Sequence, residues 1–250
     1  MLPALDNFVS FGADIMISNP TYMDALVGMV SDIFHDDKVG GMDRICGCKL
    51  AESIMLNLRG HADRHIPLFI ALAMKVLTSS EPKVKSYRIH LMEMVINAIY
   101  YNPPMALQVL ESNNWTNKFF SSWFSNIESF KRVHDKKLSI VAISALLTLN
   151  ANEVPNSVQQ GWPRLLQGVV RLFQTLPAAE NHRQEVTREG DFQLNDDDEE
   201  DEEEAAEEWD GEAEGVEDDN DTKDVKDESA AYLEFLTEEV SRMQSMGSVG

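Results

Sequence analysis

His61 and His65 have the i, i+4 spacing that lets one face of a helix hold a zinc ion. The residues between them give HADRH, so the glutamate that acts as the general base in zinc proteases is missing. Pro67 follows almost at once and disfavours a continuous helix here. We therefore expect a pair of loop histidines and no metal centre.

Cys46 and Cys48 are the only cysteines, and one residue separates them on a predicted helix. At this spacing they are poorly placed to bridge each other, and no second pair of metal ligands accompanies them. We expect two small, buried thiols in an intracellular, reducing environment. The N-terminus carries no basic segment of the kind that begins a signal peptide.

The segment 195–224 is almost entirely acidic and reads NDDDEEDEEEAAEEWDGEAEGVEDDNDTKD. From Asp210, carboxylates fall at the first, third, fifth and twelfth positions of an EF-hand loop. Glutamates stand at the third and fifth positions, Asp221 replaces the usual final glutamate, and no apolar helices flank the segment. We expect weak, diffuse association with cations in place of a calcium loop.

The net charge of -22 is concentrated in one part of the chain. Residues 1–190 contain 18 acidic and 18 basic residues, whereas residues 191–229 contain 22 acidic residues and two lysines. A polyanion repels nucleic acids and anionic lipids and attracts basic proteins. The longest charge-free apolar run, 138–152, is also too short to span a membrane. We expect neither direct nucleic-acid binding nor membrane insertion.

Signals that begin or end helices recur at intervals of 20 or 21 residues. Prolines, glycines and capping residues provide these signals, at Asn19-Pro20, Gly40-Gly41, Gly60, Glu81-Pro82 and Asn102-Pro103, and, after an extra segment that ends at Asn114, at Asp135, Asn156 and Pro177. Strand patterns with hairpin turns are missing from residues 1–190. The spacing predicts successive antiparallel helices.

Three of the predicted helices have apolar stripes. In 42–59 the stripe comprises Leu50, Ala51, Ile54, Met55 and Leu58. In 84–101 it comprises Val84, Tyr87, Leu91, Val95 and Ala98, and we expect Lys85, Glu93 and Asn97 to face outward. In 135–150 there are two stripes, one of Leu138, Val141, Ala142, Ala145 and Leu149 and one of Ile140, Ile143 and Leu147. A helix that is apolar on two sides is expected to lie between neighbours.

Pairs of such helices give units of about 41 residues, within the range of HEAT and armadillo repeats. The predicted fold is therefore all-α, a HEAT-repeat superhelical solenoid in which each pair buries its apolar faces against the next. A plain antiparallel helical bundle is the alternative.

We expect three regions: a helical solenoid in 1–180, an acidic disordered linker in 181–229, and an amphipathic C-terminal helix in 230–250. The apolar stripe of this last helix comprises Tyr232, Leu233, Leu236, Val240 and Met243. It could pack back on the solenoid as a cap or bind a partner. Phosphate-binding glycine loops and GxSxG motifs are missing from the sequence, so it nominates no catalytic residue, cofactor or metal.

Four stretches together resemble a known family: IPLFIALAMKVL at 66–77, AIYYNP at 98–103, SSWFSNIESF at 121–130 and HDKKLSIVAISALL at 134–147. Their order, followed by an acidic run, is similar to the C-terminal part of the importin-beta superfamily of nuclear transport receptors, in the branch of importin seven and importin eight. The resemblance covers roughly residues 2–208. It implies a HEAT superhelix that acts in both nucleus and cytoplasm and passes the nuclear pore.

The resemblance also implies partners. They are basic import cargo such as ribosomal proteins and histones, Phe-Gly nucleoporins, and Ran-GTP, which releases cargo. The principal Ran surface of the family lies in N-terminal repeats that this chain does not match, so no Ran-contact residue is assigned.

The acidic segment is the predicted site for basic cargo. Its candidate residues are Asp196, Asp197, Asp198, Glu199, Glu200, Asp201, Glu202, Glu203, Glu204 and Trp209. Two alternatives remain open. The segment could merely solvate the protein while another surface binds cargo, or the protein could be a HEAT scaffold with a histone-chaperone-like acidic tail and no transport role.

Overall fold

The computed structural model describes residues 2–79 and 84–189, with side chains as far as residue 184. All of these residues belong to the first of two units into which the chain divides, Met1–Asp210 and Gly211–Gly250. The predicted start at Glu81-Pro82 and the predicted C-terminal helix lie outside the described residues. The described helices are α1 (Leu2–Phe11), α2 (Ala13–Ser18), α3 (Pro20–His35), α4 (Gly41–Asn57), α5 (Ile66–Ser79), α6 (Lys85–Tyr101), α7 (Pro103–Ser112), α8 (Thr116–Ser125), α9 (Val133–Leu147), α10 (Asn156–Gln159) and α11 (Trp162–Glu189).

The helices form two layers, and within the described ranges there is no strand. The front layer consists of α1, α4, α6 and α9, which pack side by side. The back layer consists of α3, α5, α7, α8 and α11 and packs against the front layer. The chain crosses repeatedly between the layers, with α7 and α8 consecutive in the back layer, so successive helix pairs stack on one another. This HEAT-like, all-α arrangement confirms the predicted fold.

Polar contacts show how the front layer is aligned. Ser53 of α4 donates a hydrogen bond to Asp6 of α1, and Asn97 of α6 donates one to the backbone carbonyl of Glu52. The Arg59 guanidinium, just after α4, donates to the carbonyl of Tyr100 near the end of α6. Matching ends of α4 and α6 therefore lie together, so these helices run in the same direction.

Several predicted helix boundaries are confirmed. The side chain of Asn19 accepts a hydrogen bond from the Thr21 amide at the start of α3, and that of Asn102 accepts one from the Met105 amide at the start of α7. Gly60 has φ +83°, a left-handed conformation that glycine tolerates, and it interrupts the chain after α4.

Other boundaries differ from the prediction. Asp135 does not begin a helix, because α9 starts at Val133 with Arg132 as its cap and Asp135 in the first turn. The backbone N–H of Arg132 donates to the carboxylate of Asp135. Pro177 lies inside α11, which continues to Glu189, past the expected boundary at residue 180. A proline removes one backbone donor, and in a helix this long the remaining turns keep their hydrogen bonds.

The predicted apolar stripes of α4 and α6 are buried, as expected. The expectation that Glu93 and Asn97 face outward is wrong, since both are fully buried. The reason is the position of α6, which packs against α4, α5, α7 and α9 and so has little face left for solvent. In α9 the stripes are only partly buried, because Val141 and Leu147 are 38% and 50% exposed. None of the described helices combines the length and apolarity needed to cross a bilayer.

Candidate functional site: a buried polar cluster and an aromatic groove

Three front-layer helices bring six polar side chains together. α4 contributes Glu52, α6 contributes His90 and Glu93, and the start of α9 contributes the rest. We call this group the polar cluster: Glu52, His90, Glu93, Arg132, His134 and Asp135. It joins helices from three successive pairs.

Arg132 is the central cation of the polar cluster. Its Nη2 lies 2.7 Å from Glu93 Oε2, and its Nε lies 2.7 Å from Asp135 Oδ1. His90 Nδ1 lies 3.0 Å from the same Glu93 oxygen. The guanidinium therefore ties the first turn of α9 to the middle of α6, in the charge-assisted geometry that makes strong hydrogen bonds.

The two glutamates respond to burial in opposite ways. Burial alone would raise the pKa of Glu93, but the Arg132 guanidinium and the contact with His90 outweigh it and hold that pKa well below its ordinary value. The pKa of Glu52 is raised, first by burial and then by the nearby Glu93 charge. His134 Nε2 lies 3.4 Å from Glu52 Oε2, and this contact raises the pKa of His134. Glu52 is thus less well neutralised than Glu93.

The cluster has three side chains whose ligand atoms could approach a metal. The ligand atoms of Glu52, His90 and Glu93 all lie within 4.8 Å of one another. However, Arg132 pairs with Glu93, and its Nη1 and Nη2 each lie 3.5 Å from a ring nitrogen of His90. A divalent ion would therefore sit against a permanent positive charge. The donor set fits an ion-pair network better than a metal centre.

A cavity of about 400 Å³ lies beside the polar cluster. Its lining includes Glu52, Glu93 and Arg132 from the cluster, together with Asp6 of α1 and Lys49 of α4. Asp6 is exposed, whereas Glu52 and Glu93 are buried. The lining therefore combines one exposed and two buried carboxylates with the two cations Lys49 and Arg132.

The back layer contains a groove between α8 and α11, with a volume of about 1180 Å³ and with both polar and apolar side chains on its lining. We call it the aromatic groove; Phe120 and Phe124 form one wall and Leu166 and Val170 the other. The two phenylalanine rings are stacked with centroids 6.3 Å apart. Leu166 and Val170 are 50% and 55% exposed, so the groove presents apolar surface to solvent.

Gly168 allows helices α8 and α11 to approach each other closely. A Cβ at this position would lie 2.9 Å from Ile127 Cδ1 and 3.0 Å from Phe124 Cε1, both tighter than normal contact. The missing side chain lets α11 approach the end of α8. Trp123 is fully buried between the groove and the core.

The sequence-predicted cargo residues, Asp196 to Glu204 and Trp209, lie outside the described residues. The histidine pair is found where it was expected: His61 lies in an exposed turn and His65 in a short 3₁₀ turn before α5. His65 lies 3.7 Å from Asp24, and burial followed by the Arg64 charge lowers the pKa of His65. Cys48 is buried and Cys46 is partly buried, and no disulfide joins them.

The sequence interpretation missed the polar cluster. A signal was present, because His90, Glu93 and Asn97 recur at helical spacing within an otherwise apolar helix. That pattern indicates a polar stripe on one face of α6. Its burial follows only from the presence of α4 and α9 on both sides of α6, which the sequence of α6 does not contain.

Comparison with known proteins shows that the chain is similar to several importins. The chain is 33% identical over 190 residues to a probable importin-7 homolog of Dictyostelium discoideum, and this match covers 74% of the chain and 18% of the relative. It is 31% identical over 198 residues to human importin-8, covering 76% of the chain and 19% of the relative. The importin beta-like SAD2 homolog of Arabidopsis thaliana is 27% identical over 169 residues, which is 63% of the chain and 16% of that protein.

The chain belongs to the importin-beta family. The resemblance stated from the sequence is thereby confirmed. The chain spans about a fifth of the length of these curated relatives. No family model and no solved structure matches it.

Proposed function

We propose that this chain is a non-catalytic segment of a nuclear import receptor. The observation that carries the proposal is the similarity to proteins named importins along most of the chain. The sequence also nominates no catalytic constellation. In the complete receptor, Ran-GTP releases cargo through repeats outside this chain, and the receptor moves between cytoplasm and nucleus through the nuclear pore.

In this proposal, the acidic segment captures basic cargo. Residues 191–229 carry nearly all of the net charge, while the helical part is close to neutral. Dense negative charge attracts positively charged proteins such as histones and ribosomal proteins and accelerates their association. Electrostatic attraction of this kind weakens as added salt shortens the Debye length, which is about 8 Å at physiological ionic strength.

Phe-Gly nucleoporins bind in the aromatic groove under this proposal. Support comes from the exposed apolar side chains of α11 facing the stacked phenylalanines of α8. A groove of this kind accepts an aromatic ring, and burying one ring removes about 150–250 Å² of surface from water. This contact depends little on salt, in contrast to capture by the acidic segment.

Cargo capture is tested with a histone as the basic probe. The variant changes Asp196–Asp198 to asparagine and Glu199, Glu200 and Glu202–Glu204 to glutamine. The matched control keeps every charge but scrambles the order of residues 195–224. We expect weaker binding by at least about tenfold for the neutralised variant at about 0.1 M salt, and unchanged binding for the scrambled one. Equal binding by the neutralised and unmodified chains would refute capture by this segment.

Pore contact is tested with a Phe-Gly repeat peptide. Val170→Ser reduces the apolar wall of the groove at an exposed position, and Phe11→Ser makes a similar change on α1, where Phe11 is 88% exposed. We expect Val170→Ser to weaken peptide binding and Phe11→Ser to leave it unchanged. A chain that binds histone but no Phe-Gly peptide would instead favour a scaffold without a transport role.

A further inference from the structure

The aromatic groove carries an unbalanced positive charge. Its cations are Arg164 and Arg171 of α11, and the part of its lining that the structure describes contains no acidic side chain. Arg171 is neutralised, because it pairs with Glu128 outside the lining. Arg164 is exposed, and its side chain has no hydrogen-bond or ion-pair partner among the described residues. One guanidinium on the lining is therefore available to an acidic ligand.

This charge lies toward one end of the groove. Gly168 packs against Phe124 of α8. Further along both segments, Arg171 pairs with Glu128, which follows α8. The two helices therefore run in the same direction along the groove, and Arg164 lies toward the N-terminal half of α8. The first turn of α8 contains no acidic residue and its cap residue makes no side-chain hydrogen bond, so the positive end of the helix dipole adds to the charge of Arg164.

The size and polarity of the groove fit a peptide. Its volume of about 1180 Å³ is above the range of about 300–1,000 Å³ that is usual for small-molecule sites. Between its apolar walls the lining presents the side-chain amides of Asn117, Gln160 and Gln167. An amide side chain donates and accepts hydrogen bonds, so these groups can bind the backbone of an extended segment.

The spacing along α11 relates the apolar wall to the charge. The wall is centred between Leu166 and Val170, and Arg164 lies four residues before this centre, which is about 6 Å along the helix axis. In an extended peptide, alternate side chains point to the same side and are about 6.6 Å apart. A peptide whose phenylalanine contacts the apolar wall therefore brings a side chain two residues away close to Arg164.

We infer that the aromatic groove selects Phe-Gly segments that carry an acidic residue two positions from the phenylalanine, and that Arg164 is the residue that determines this preference. The ring contacts the apolar walls, and the carboxylate accepts hydrogen bonds from the Arg164 guanidinium. The inference rests on the proposed pore contact and adds a sequence requirement to it.

The test compares two synthetic peptides on two forms of the chain. The acidic peptide has glutamate two residues before and two residues after the phenylalanine of one Phe-Gly unit, and the neutral peptide has glutamine at both places. On the unmodified chain we expect the acidic peptide to bind about three- to fivefold more tightly at about 0.05 M salt. On Arg164→Gln we expect equal binding of the two peptides.

Two further variants separate the role of Arg164 from the total charge of the chain. Lys75→Gln is the matched control, because it removes one exposed positive charge from α5, outside the groove lining, and should keep the preference. Arg164→Lys keeps the charge and should keep part of the preference. The preference should disappear by about 0.5 M salt, whereas binding of the neutral peptide should change little. Thermal unfolding of each variant checks that it is folded.

The outcomes distinguish this inference from the proposed pore contact. If Val170→Ser weakens both peptides and the unmodified chain binds them equally, the pore contact stands and the inference is overturned. A preference that survives Arg164→Gln, or that Lys75→Gln also removes, overturns it as well. A preference that appears only after the acidic segment is neutralised would mean that this segment occupies Arg164, and would again overturn it. Binding of neither peptide would refute the pore contact itself.

Discussion

The helices of the front layer are joined to one another by different kinds of contact from those that join the helices of the back layer. In the front layer, charged and polar side chains of α4, α6 and α9 interlock beneath the surface. In the back layer, α8 and α11 meet through aromatic and aliphatic side chains and leave a wide groove between them. Polar contacts require defined partners, whereas apolar contacts tolerate adjustment. The front layer therefore fixes the register of successive pairs, and the back layer leaves surface for other molecules.

The largest effect is expected when Arg132, the central cation of the front layer, is removed. Arg132→Ala leaves the buried carboxylates of Glu93 and Asp135 without their cation, and we expect a loss of about 3–5 kcal/mol in the free energy of unfolding. Urea denaturation measures this loss. Arg171→Ala is the control, because its ion pair with Glu128 joins side chains that are 63% and 72% exposed, and it should change stability by less than about 1 kcal/mol. Similar losses for both variants would remove the distinction between the layers.

A smaller effect is expected where the back-layer helices approach each other. Gly168→Ala places a methyl group against Ile127 and Phe124, and overpacking of this kind costs about 1–3 kcal/mol. Gly28→Ala on α3 is the matched control, since nothing lies within 4 Å of a Cβ there. That change should stabilise the protein by about 0.5–1 kcal/mol through helix propensity. If thermal unfolding shows equal stabilisation by both alanines, α8 and α11 do not pack as described.

The smallest effect is a pH dependence at the edge of the polar cluster. The pKa of His134 is raised by Glu52, so the stabilisation from protonated His134 is complete below the unfolded histidine value and is lost as pH rises through the folded pKa. Burial and the charge of Glu93, which raise the pKa of Glu52, are present with or without His134 and cancel when the unmodified chain is compared with a variant that lacks His134. The stability difference between the unmodified chain and His134→Gln should therefore be greatest near pH 6 and shrink toward pH 9.

Solvent screening keeps this difference below about 1 kcal/mol, because the His134 side chain is half exposed. Denaturant titrations at several pH values measure it. A difference that grows with pH would mean that the contact between Glu52 and His134 does not stabilise the fold.

The helical stack could be predicted from the sequence because the signals for each helix lie within that helix or at its ends. Asn19 and Asn102 cap helices through their own side chains, and the apolar stripes of α4 and α6 follow the helical period. Pro177 failed as a boundary because a long helix accommodates it. The helix predicted to start at Asp135 starts two residues earlier, at Val133. Its cap residue is Arg132, and Asp135 is the third residue of the helix.

The polar cluster could not be predicted in the same way. Whether Glu93 faces solvent depends on Arg132, which lies 39 residues away and approaches only when α9 packs on α6. Likewise, the aromatic groove requires Phe124 and Gly168 to meet from separate helices. Contacts of this range are set by packing between repeats, and the helical period of one segment carries no information on them.

The central claim is that electrostatic capture of basic cargo and apolar contact with the pore use separate surfaces. A salt titration with both probes tests it most directly: binding of a histone and of a Phe-Gly peptide is measured on the same chain from about 0.05 to 0.5 M salt. The account predicts that histone binding falls steeply with salt, that peptide binding changes little, and that both probes bind at once at low salt. Parallel loss of both, or competition between the probes, would contradict it.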